Sequence, residues 1–320
     1  MSALAQKLAA ALASREDRHI RRRLPSPDLS LPPPKLPITI TSDDRSSSSV
    51  AIATIVAATP NTTAEAPTPP RTLATTTTTA SESTIAPADF SSNDYLSLAT
   101  SPHLRARVLA ALHAAPSILG SGGSRLLIYS PAHAALEARL ARTFRAPAAL
   151  LFNSGFDANA GFFACIPQPG DALLYDAAIH ASVHDGARVS RLAPRLRRPF
   201  AHNDPRALRA ALWALRDECA AFREGECSVF VAVESVYSMD GTVAPLRVML
   251  DAMDEVFPAG NAHMVVDEAH ATGVYGPGGR GMVAWLGLED RVLARLHTFG
   301  KALAASGGAC VLSYNDVAMH

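Results

Sequence analysis

The 320-residue sequence has no excess of charge of either sign, because 29 lysines and arginines balance 29 aspartates and glutamates. A neutral chain generates no overall field that would gather nucleic acid or an anionic membrane surface, so neither partner is expected. Long apolar runs are also missing, since stretches such as residues 50–58 fall far short of the roughly 20 residues that span a bilayer. We therefore expect no transmembrane helix.

Cysteine is scarce as well, and its spacing is uninformative. The chain has neither a CxxC pair nor a Cys/His ligand spacing among its four cysteines, Cys165, Cys219, Cys227 and Cys310. This pattern argues against a zinc site and against a disulfide framework, so we expect no bound metal. Reduced thiols favour an intracellular protein with the cytoplasm as its compartment. Mitochondrial and peroxisomal locations stay open as alternatives.

Composition divides the chain into three segments. Residues 1–36 form an N-terminal arm, in which leucines near helical spacing predict an amphipathic helix from Ala3 to Arg23. Residues 37–87 are rich in serine, threonine and proline, cannot bury enough apolar surface to offset the entropy of ordering, and are predicted to be a disordered insertion. Residues 88–320 alternate β-rich runs with alanine- and leucine-rich stretches, which predicts an α/β domain with a mostly parallel sheet.

The elements of that domain follow from short apolar runs and from longer stretches with helical periodicity. The predicted strands are Ala149–Phe152, Ala172–Tyr175, Ser228–Val233, His263–Val266 and Ala309–Ser313. The predicted helices are Pro131–Phe144, Pro205–Glu224 and Pro245–Phe257.

An aspartate and a lysine each follow a β-like run. Asp267 ends the run that begins at Met264, and Lys301 follows a run that includes Thr298. Ligands of open α/β sheets bind at the carboxyl ends of the strands, so both side chains are site candidates. A lysine and an aspartate on neighbouring strand ends are what pyridoxal 5′-phosphate (PLP) requires. The amine binds the cofactor covalently, and the carboxylate keeps the pyridine nitrogen protonated.

A phosphate site is predicted where the strand ending at Phe152 gives way to a helix. Ser154 and Gly155 stand at this junction, where a hydroxyl and the free N–H groups of a helix N-terminus can bind a phosphate. Thr298 could add a second hydroxyl. Each feature alone has an ordinary explanation, since most lysines are solvated and most strand-end aspartates cap turns or helices. Their joint order is what favours a PLP site.

The run from Asp267 to His270 also spells the DEAH motif of nucleic-acid helicases. That function needs a phosphate loop of the form GxxxxGK followed by serine or threonine. Lys301 is instead followed by Ala302, and Arg295 stands where the first glycine is needed. A nucleotide-dependent helicase is therefore a remote alternative.

Seven motifs occur in an order that resembles the α-oxoamine synthases, PLP-dependent acyltransferases of fold-type I. They lie at residues 90–96, 120–125, 153–161, 179–182, 234–241, 266–273 and 298–301. The resemblance implies the large domain of such an enzyme, an α/β fold with a mostly parallel seven-stranded sheet flanked by helices. It also implies a homodimer that condenses an amino acid with an acyl-CoA, with loss of CO2, to give an α-amino ketone. L-alanine and pimeloyl-CoA are the substrates of the most similar members.

The resemblance further implies residue roles. Lys301 would hold PLP and remove the Cα proton of the substrate, Asp267 would pair with the pyridine nitrogen, and His180 would stack on the ring. The other cofactor contacts would come from Ser238 and His270 at the ring oxygen and from Ser154, Gly155, Phe156 and Thr298 near the phosphate. Arg21 and Asn93 match positions that contact substrate in the family.

The sequence ends at His320, 19 residues after Lys301, whereas the family continues into a smaller C-terminal domain with an arginine for the substrate carboxylate. Because this clamp orients the substrate, we expect reduced or no turnover from the present chain. A PLP-binding fragment with impaired activity, or a module that only dimerises, is the alternative to an independent enzyme.

Overall fold

The computed structural model describes residues 3–18, 89–120, 122–126 and 130–313. The predicted disordered insertion at residues 37–87 and the substrate candidate Arg21 lie outside these ranges, so both stay predictions. Helix α1 covers Ala3–Asp17, and the last part of its predicted length, up to Arg23, also lies outside the described residues.

A seven-stranded sheet forms the centre of the domain. Its strands are β1 Ala148–Phe152, β2 Ala172–Asp176, β3 Arg197–Phe200, β4 Val229–Glu234, β5 Ala262–Asp267, β6 Ala294–Thr298 and β7 Gly308–Leu312, in the spatial order β1-β7-β6-β5-β4-β2-β3. Only β7 runs antiparallel to its neighbours, β1 and β6, and all other pairs are parallel. The prediction of a mostly parallel seven-stranded sheet is confirmed. Six strands consequently end at the same edge.

Helices cover both faces of the sheet. After α1 they are α2 Pro102–Ala114, α3 Pro131–Thr143, α4 Gly155–Cys165, α5 Ala181–Val189, α6 Pro205–Glu218, α7 Ala220–Arg223, α8 Leu246–Val256 and α9 Met282–Leu286. Three of them begin at a Ser-Pro or Asp-Pro pair, in which the side chain of Ser101, Ser130 or Asp204 accepts a backbone N–H of the first turn. Proline then occupies a position whose own N–H would have had no partner.

Helices α2, α5 and α9 were not predicted, and two further elements differ from the prediction. The helix predicted over Pro205–Glu224 breaks at Cys219, whose extended backbone (φ −147°, ψ 131°) separates α6 from the four-residue α7. Strand β3 was not predicted, because a run of arginines with Pro199 lacks the apolar pattern of a buried strand. It lies at the edge and pairs only with β2, where a proline is tolerated.

The core has apolar clusters on both faces of the sheet, because successive residues of each strand face opposite sides. One cluster packs β4 residues such as Val229 and Val231 against leucines and methionines of α6 and α8. The second packs Phe230 of β4 against α4 and α5. A separate cluster packs Leu140 and Phe144 of α3 against β1 and β7. Leu4 of α1 is buried in the second cluster, and Lys7 forms a 2.6 Å ion pair with the buried Asp171. Helix α1 is therefore part of the packed domain.

Among the described helices, none is both long enough and apolar enough to cross a membrane.

Candidate functional site

The shared carboxyl edge of the sheet brings together the predicted site residues. Asp267 ends β5, Thr298 ends the adjacent β6, and Lys301 lies three residues farther on. Strand β1 runs in the same direction as β6, because β7 lies antiparallel between them, so Ser154 after β1 reaches the same edge. The placement of the aspartate and the lysine on neighbouring strand ends agrees with the sequence.

Asp267 is a buried carboxylate with only neutral hydrogen-bond partners. Its side chain accepts the Nδ2–H of Asn159 at 2.6 Å and the backbone N–H of Ala269 at 2.9 Å, and the residue is 6% exposed. Within the described ranges, Asp267 forms no ion pair. A buried carboxylate is stable only when its charge is matched, so this group fits a cationic ligand such as a protonated pyridine ring.

Lys301 begins a chain of hydrogen bonds that includes His270. Lys301 Nζ lies 2.7 Å from His270 Nε2, and His270 Nδ1 lies 2.7 Å from the hydroxyl of Tyr95. That hydroxyl donates to Asn93 Oδ1 at 3.2 Å, so it accepts the proton on His270 Nδ1. The other imidazole nitrogen is then an acceptor for the lysine. His270 thus links Lys301 to Asn93, the residue predicted to contact substrate.

Burial sets the protonation of this chain. It lowers the pKa of His270 to about 4, and the nearby cationic Lys301 adds to the effect, so the imidazole is neutral at pH 7. Burial also lowers the pKa of Lys301, although the charges of Asp267 and Glu234 oppose this change. A lysine with a lowered pKa more readily supplies the neutral amine that covalent attachment and proton removal require.

The junction of β1 and α4 is the place where the sequence predicts a phosphate cradle. Ser154 caps α4 by accepting the N–H of Asp157 at 3.0 Å. Gly155 contacts the end of β6 so closely that a Cβ atom there would lie 2.7 Å from the Cβ of Thr298. Only glycine permits this approach, which puts the helix N-terminus beside the threonine hydroxyl. The Ser154 hydroxyl donates to Asp157 Oδ2 at 2.9 Å and must turn away from it to bind a phosphate.

His180 and Phe156 lie together on the open side of the edge. Both are exposed, and their rings meet edge to face with centroids 5.9 Å apart. His180 caps α5, with Nδ1 2.7 Å from the Ser182 hydroxyl. Its backbone N–H donates a hydrogen bond to the carboxyl group of Glu234. An exposed imidazole on a fixed backbone fits the stacking role that the resemblance implies.

Ser238 and Asn93 are exposed and make few contacts with the other described residues of the site. Ser238 is exposed in the turn after β4, and its hydroxyl has no hydrogen bond to another described residue. Asn93 is exposed and contacts Tyr95. The structure therefore joins Lys301 to His270 directly and places Asp267 where its charge acts on the lysine, whereas Ser238 has no such contact. The cofactor roles of all these residues stay predictions.

Three residues of the site were not predicted, namely Glu234, Asn159 and Tyr95. Glu234 ends β4 beside Asp267, with which it pairs in register, and it is 4% exposed. The sequence carried a signal for it, since an apolar run ending in an acid is the same pattern that identified Asp267. Asn159 and Tyr95 lie in segments 153–161 and 90–96, which carry the resemblance, but no local pattern gives either a role, because their contacts are with residues far away in the chain.

Glu234 is a protonated acid at neutral pH. Burial raises its pKa to about 8, and the negative charge of Asp267 adds to this effect. The folded state then holds a proton that the unfolded chain releases near its ordinary pKa of 4.5. The contribution of this group to stability is therefore lost progressively as pH rises from about 4.5 to about 8.

Replacing Glu234 with glutamine is expected to remove this pH dependence, because the amide does not ionise and still accepts the N–H of His180. In urea unfolding without added PLP, the free energy of unfolding of the variant should rise relative to that of the parent by up to about 1.4 kcal/mol per pH unit between pH 5 and pH 8. Glu226→Gln, at an exposed glutamate just before the same strand, is the matched control. Parallel stability curves for parent and E234Q would contradict a protonated Glu234.

Comparison with protein-family models matches residues 87–318 to the family described as aminotransferase class I and II. Among curated proteins, an 8-amino-7-oxononanoate synthase of Emericella nidulans is 54% identical over 73% of this chain and 57% of its own length. An aminoacyl transferase sphA of Aspergillus fumigatus is 45% identical over 68% of this chain and 47% of its own length.

Solved structures similar to this chain include serine palmitoyltransferases. The serine palmitoyltransferase of Sphingomonas wittichii superposes with a TM-score of 0.60 at 31% identity, covering 70% of this chain and 52% of that one. A structure described as SPT with PLP has a TM-score of 0.61 at 29% identity, covering 71% and 53%. The chain spans about half the length of the curated relatives it matches.

Proposed function

Because the chain belongs to the aminotransferase class I and II family, whose cofactor is PLP, we propose that its site binds PLP between Lys301 and Asp267 and serves acyl transfer to an amino acid. The observation that carries this proposal is the buried carboxylate of Asp267, which forms no ion pair with another described residue, on the strand next to the one that leads to Lys301. The resemblance to the α-oxoamine synthases is confirmed by the family and by the relatives.

The residues present fit the cofactor. Asp267 would hold a proton on the pyridine nitrogen, and the cradle of Ser154, Gly155 and Thr298 would bind the phosphate. His180, whose side chain is exposed, would cover one face of the ring. When bound, PLP supplies an electron sink that stabilises negative charge at the amino acid Cα.

The chain's own residues would direct that chemistry. Lys301, with its lowered pKa, would remove the proton from the substrate Cα. The neutral His270, fixed through Tyr95, would keep the lysine amine in place by accepting one of its N–H groups. Asn93, at the end of the same chain, would contact the amino acid carboxylate.

We propose L-alanine and an acyl-CoA such as pimeloyl-CoA as substrates, which suits the 8-amino-7-oxononanoate synthase of Emericella nidulans. The serine palmitoyltransferases among the solved structures make L-serine and a long-chain acyl-CoA the alternative pair. The helicase hypothesis gains no support, because Lys301 is followed by turns rather than by the helix that a phosphate loop requires.

The test is a spectrum of the purified protein with PLP, then borohydride reduction and peptide mapping. The chain has only three lysines, Lys7, Lys35 and Lys301, so the site of attachment is unambiguous. We expect the label on Lys301. A label on Lys7 or Lys35 alone, or no label, would refute the proposal.

Turnover is then measured with each substrate pair by release of CO2 and formation of the amino ketone. Product from alanine and pimeloyl-CoA supports the first pair, and product from serine and palmitoyl-CoA supports the second. Label without any turnover would favour a second candidate, a PLP-binding module with impaired activity.

We also propose that two copies of the chain associate, as the resemblance implies. Light scattering of the purified protein should give twice the chain mass. A mass of one chain at micromolar concentration would oppose this proposal.

A further inference from the structure

A second polar cluster lies one strand away from the proposed PLP site. Its centre is His202, in the loop that follows β3. His202 Nδ1 lies 2.8 Å from Oδ1 of Asp176, the buried last residue of β2. His202 Nε2 lies 3.1 Å from Oδ2 of Asp240 and 3.0 Å from Oγ1 of Thr242, both in the turn that carries Ser238. The imidazole thus joins that turn to the sheet.

The geometry defines the protonation state of this ring. A neutral imidazole carries one N–H, whereas both nitrogens of His202 face carboxylate oxygens, which only accept hydrogen bonds. The Thr242 hydroxyl gives its own hydrogen to Asp240 Oδ1 at 2.8 Å, so it also acts as an acceptor toward the ring. The doubly protonated imidazolium donates to both carboxylates, whereas a neutral ring leaves one of the two without its donor. One neutral donor, Asn203 Nδ2, lies farther from Nε2, at 3.3 Å.

The turn that carries Ser238 depends on this contact. The Tyr237 ring packs edge to face against the His202 imidazole, with ring centroids 4.5 Å apart. Asp240, two residues after Ser238, pairs with the same imidazole. Inside the turn, backbone hydrogen bonds join Tyr237 and Thr242 in a closed hairpin. These bonds fix its shape. Its attachment to β2 runs through His202, through the adjacent Asn203, which binds Asp176 and Thr242, and through the buried Tyr237 side chain, which also hydrogen-bonds Asp176.

We propose that His202, as an imidazolium between Asp176 and Asp240, is a positioning residue that holds the turn of residues 237–242, and with it Ser238, against the PLP site. The importance of Ser238 rests on the proposed function, whereas the attachment of the turn by His202 does not. His202 itself contacts no residue assigned to the cofactor.

The attachment depends on pH. Burial lowers the pKa of His202, but the hydrogen bonds and charges of Asp176 and Asp240 outweigh burial, and the pKa is raised overall. Asp176 and Asp240 are the charged groups that face the ring, and Tyr237 is the neighbouring titratable group. The ionic clamp holds while His202 is protonated and its two partners are ionised, and it is lost as pH rises through the raised pKa of His202.

The first experiment titrates His202 by NMR of isotope-labelled protein without added PLP. We expect a pKa above the ordinary value of about 6.5. It should fall in Asp240→Asn, which keeps the size of the side chain but removes its charge. A pKa at or below the ordinary value, or one unchanged in D240N, would overturn the proposal.

The second experiment compares hydrogen exchange of the amides of residues 237–242 at one pH in the parent, in D240N and in His202→Gln. Glutamine cannot bridge two carboxylates, so exchange should be faster by about tenfold or more, the effect of losing a charge-assisted hydrogen bond. His133→Gln, at an exposed histidine of α3, is the matched control and should change nothing. Unchanged protection in H202Q and D240N would overturn the proposal, and D240N decides the matter if H202Q does not fold.

The third measurement is retention of PLP by the same variants. Faster exchange together with weaker PLP binding supports the whole inference. If the parent itself binds no PLP, the proposed function fails, and the first two experiments still test His202 as the attachment of the turn.

Discussion

Lys301→Arg is expected to abolish covalent retention of PLP and to lower turnover by at least about a thousandfold. The guanidinium keeps the positive charge near His270, but it can neither bind the cofactor covalently nor remove the substrate proton, and loss of a general base alone costs about 10²–10⁴ in rate. Retention is measured by absorbance after gel filtration, and turnover is measured as CO2 release.

Lys7→Arg is the matched control, since it makes the same exchange of amine for guanidinium outside the site and preserves the charge that pairs with Asp171. It should retain PLP as the parent does. If K301R kept the cofactor through borohydride treatment, Lys301 would not be the attachment point. If K7R lost the cofactor equally, the loss would report damage to the fold.

The second large effect is expected from Asp267→Asn. The amide is the same size as the carboxylate but carries no charge to match a protonated pyridine ring, so turnover should fall by about a hundredfold or more. PLP should also bind more weakly. Dissociation constants and rates are measured at pH 7.

The variant is expected to fold, because Asn159 can adapt. Its Nδ2 donates to Asp267, while its buried Oδ1 has no partner among the described residues. Turning the Asn159 amide over would let Oδ1 accept a hydrogen from the new asparagine. Unfolding curves should therefore change little in D267N.

Glu234→Gln is the internal comparison for D267N, since both replace a buried strand-end carboxyl with an amide. Glu234 is protonated at pH 7, so its replacement removes no charge and should cost much less activity than D267N. Equal losses in the two variants would mean that Asp267 does not act through its charge.

The sequence predicted those parts of the site that depend on local pattern. Asp267 and Lys301 follow apolar runs that predict strands. Because the carboxyl ends of parallel strands lie at the same edge of a sheet, the two residues were expected at one edge, where the structure has them. Gly155 was predicted in the same way, from the junction of a strand and a helix. In each case the chemistry is encoded within a few residues of the strand end.

Contacts between distant segments could not be predicted. The pairing of Tyr95 with His270 and the clamp of His202 between Asp176 and Asp240 join residues whose separation in sequence carries no pattern. The break at Cys219 was missed for a related reason, since its neighbours all favour a helix, and the packing of α6 and α7 on the sheet overrides that preference.

The reversed direction of β7 has a consequence for Lys301. Because β7 returns directly beside β6, residues 299–307 form a tight loop, closed by hydrogen bonds from Phe299 N to Gly307 O and from Ala304 N to Lys301 O. Ala304 adopts a left-handed backbone (φ 48°) to complete it. The main chain at Lys301 is thus anchored on both sides within a few residues, and the reach of its amine is limited to what the torsions of its four-carbon side chain allow.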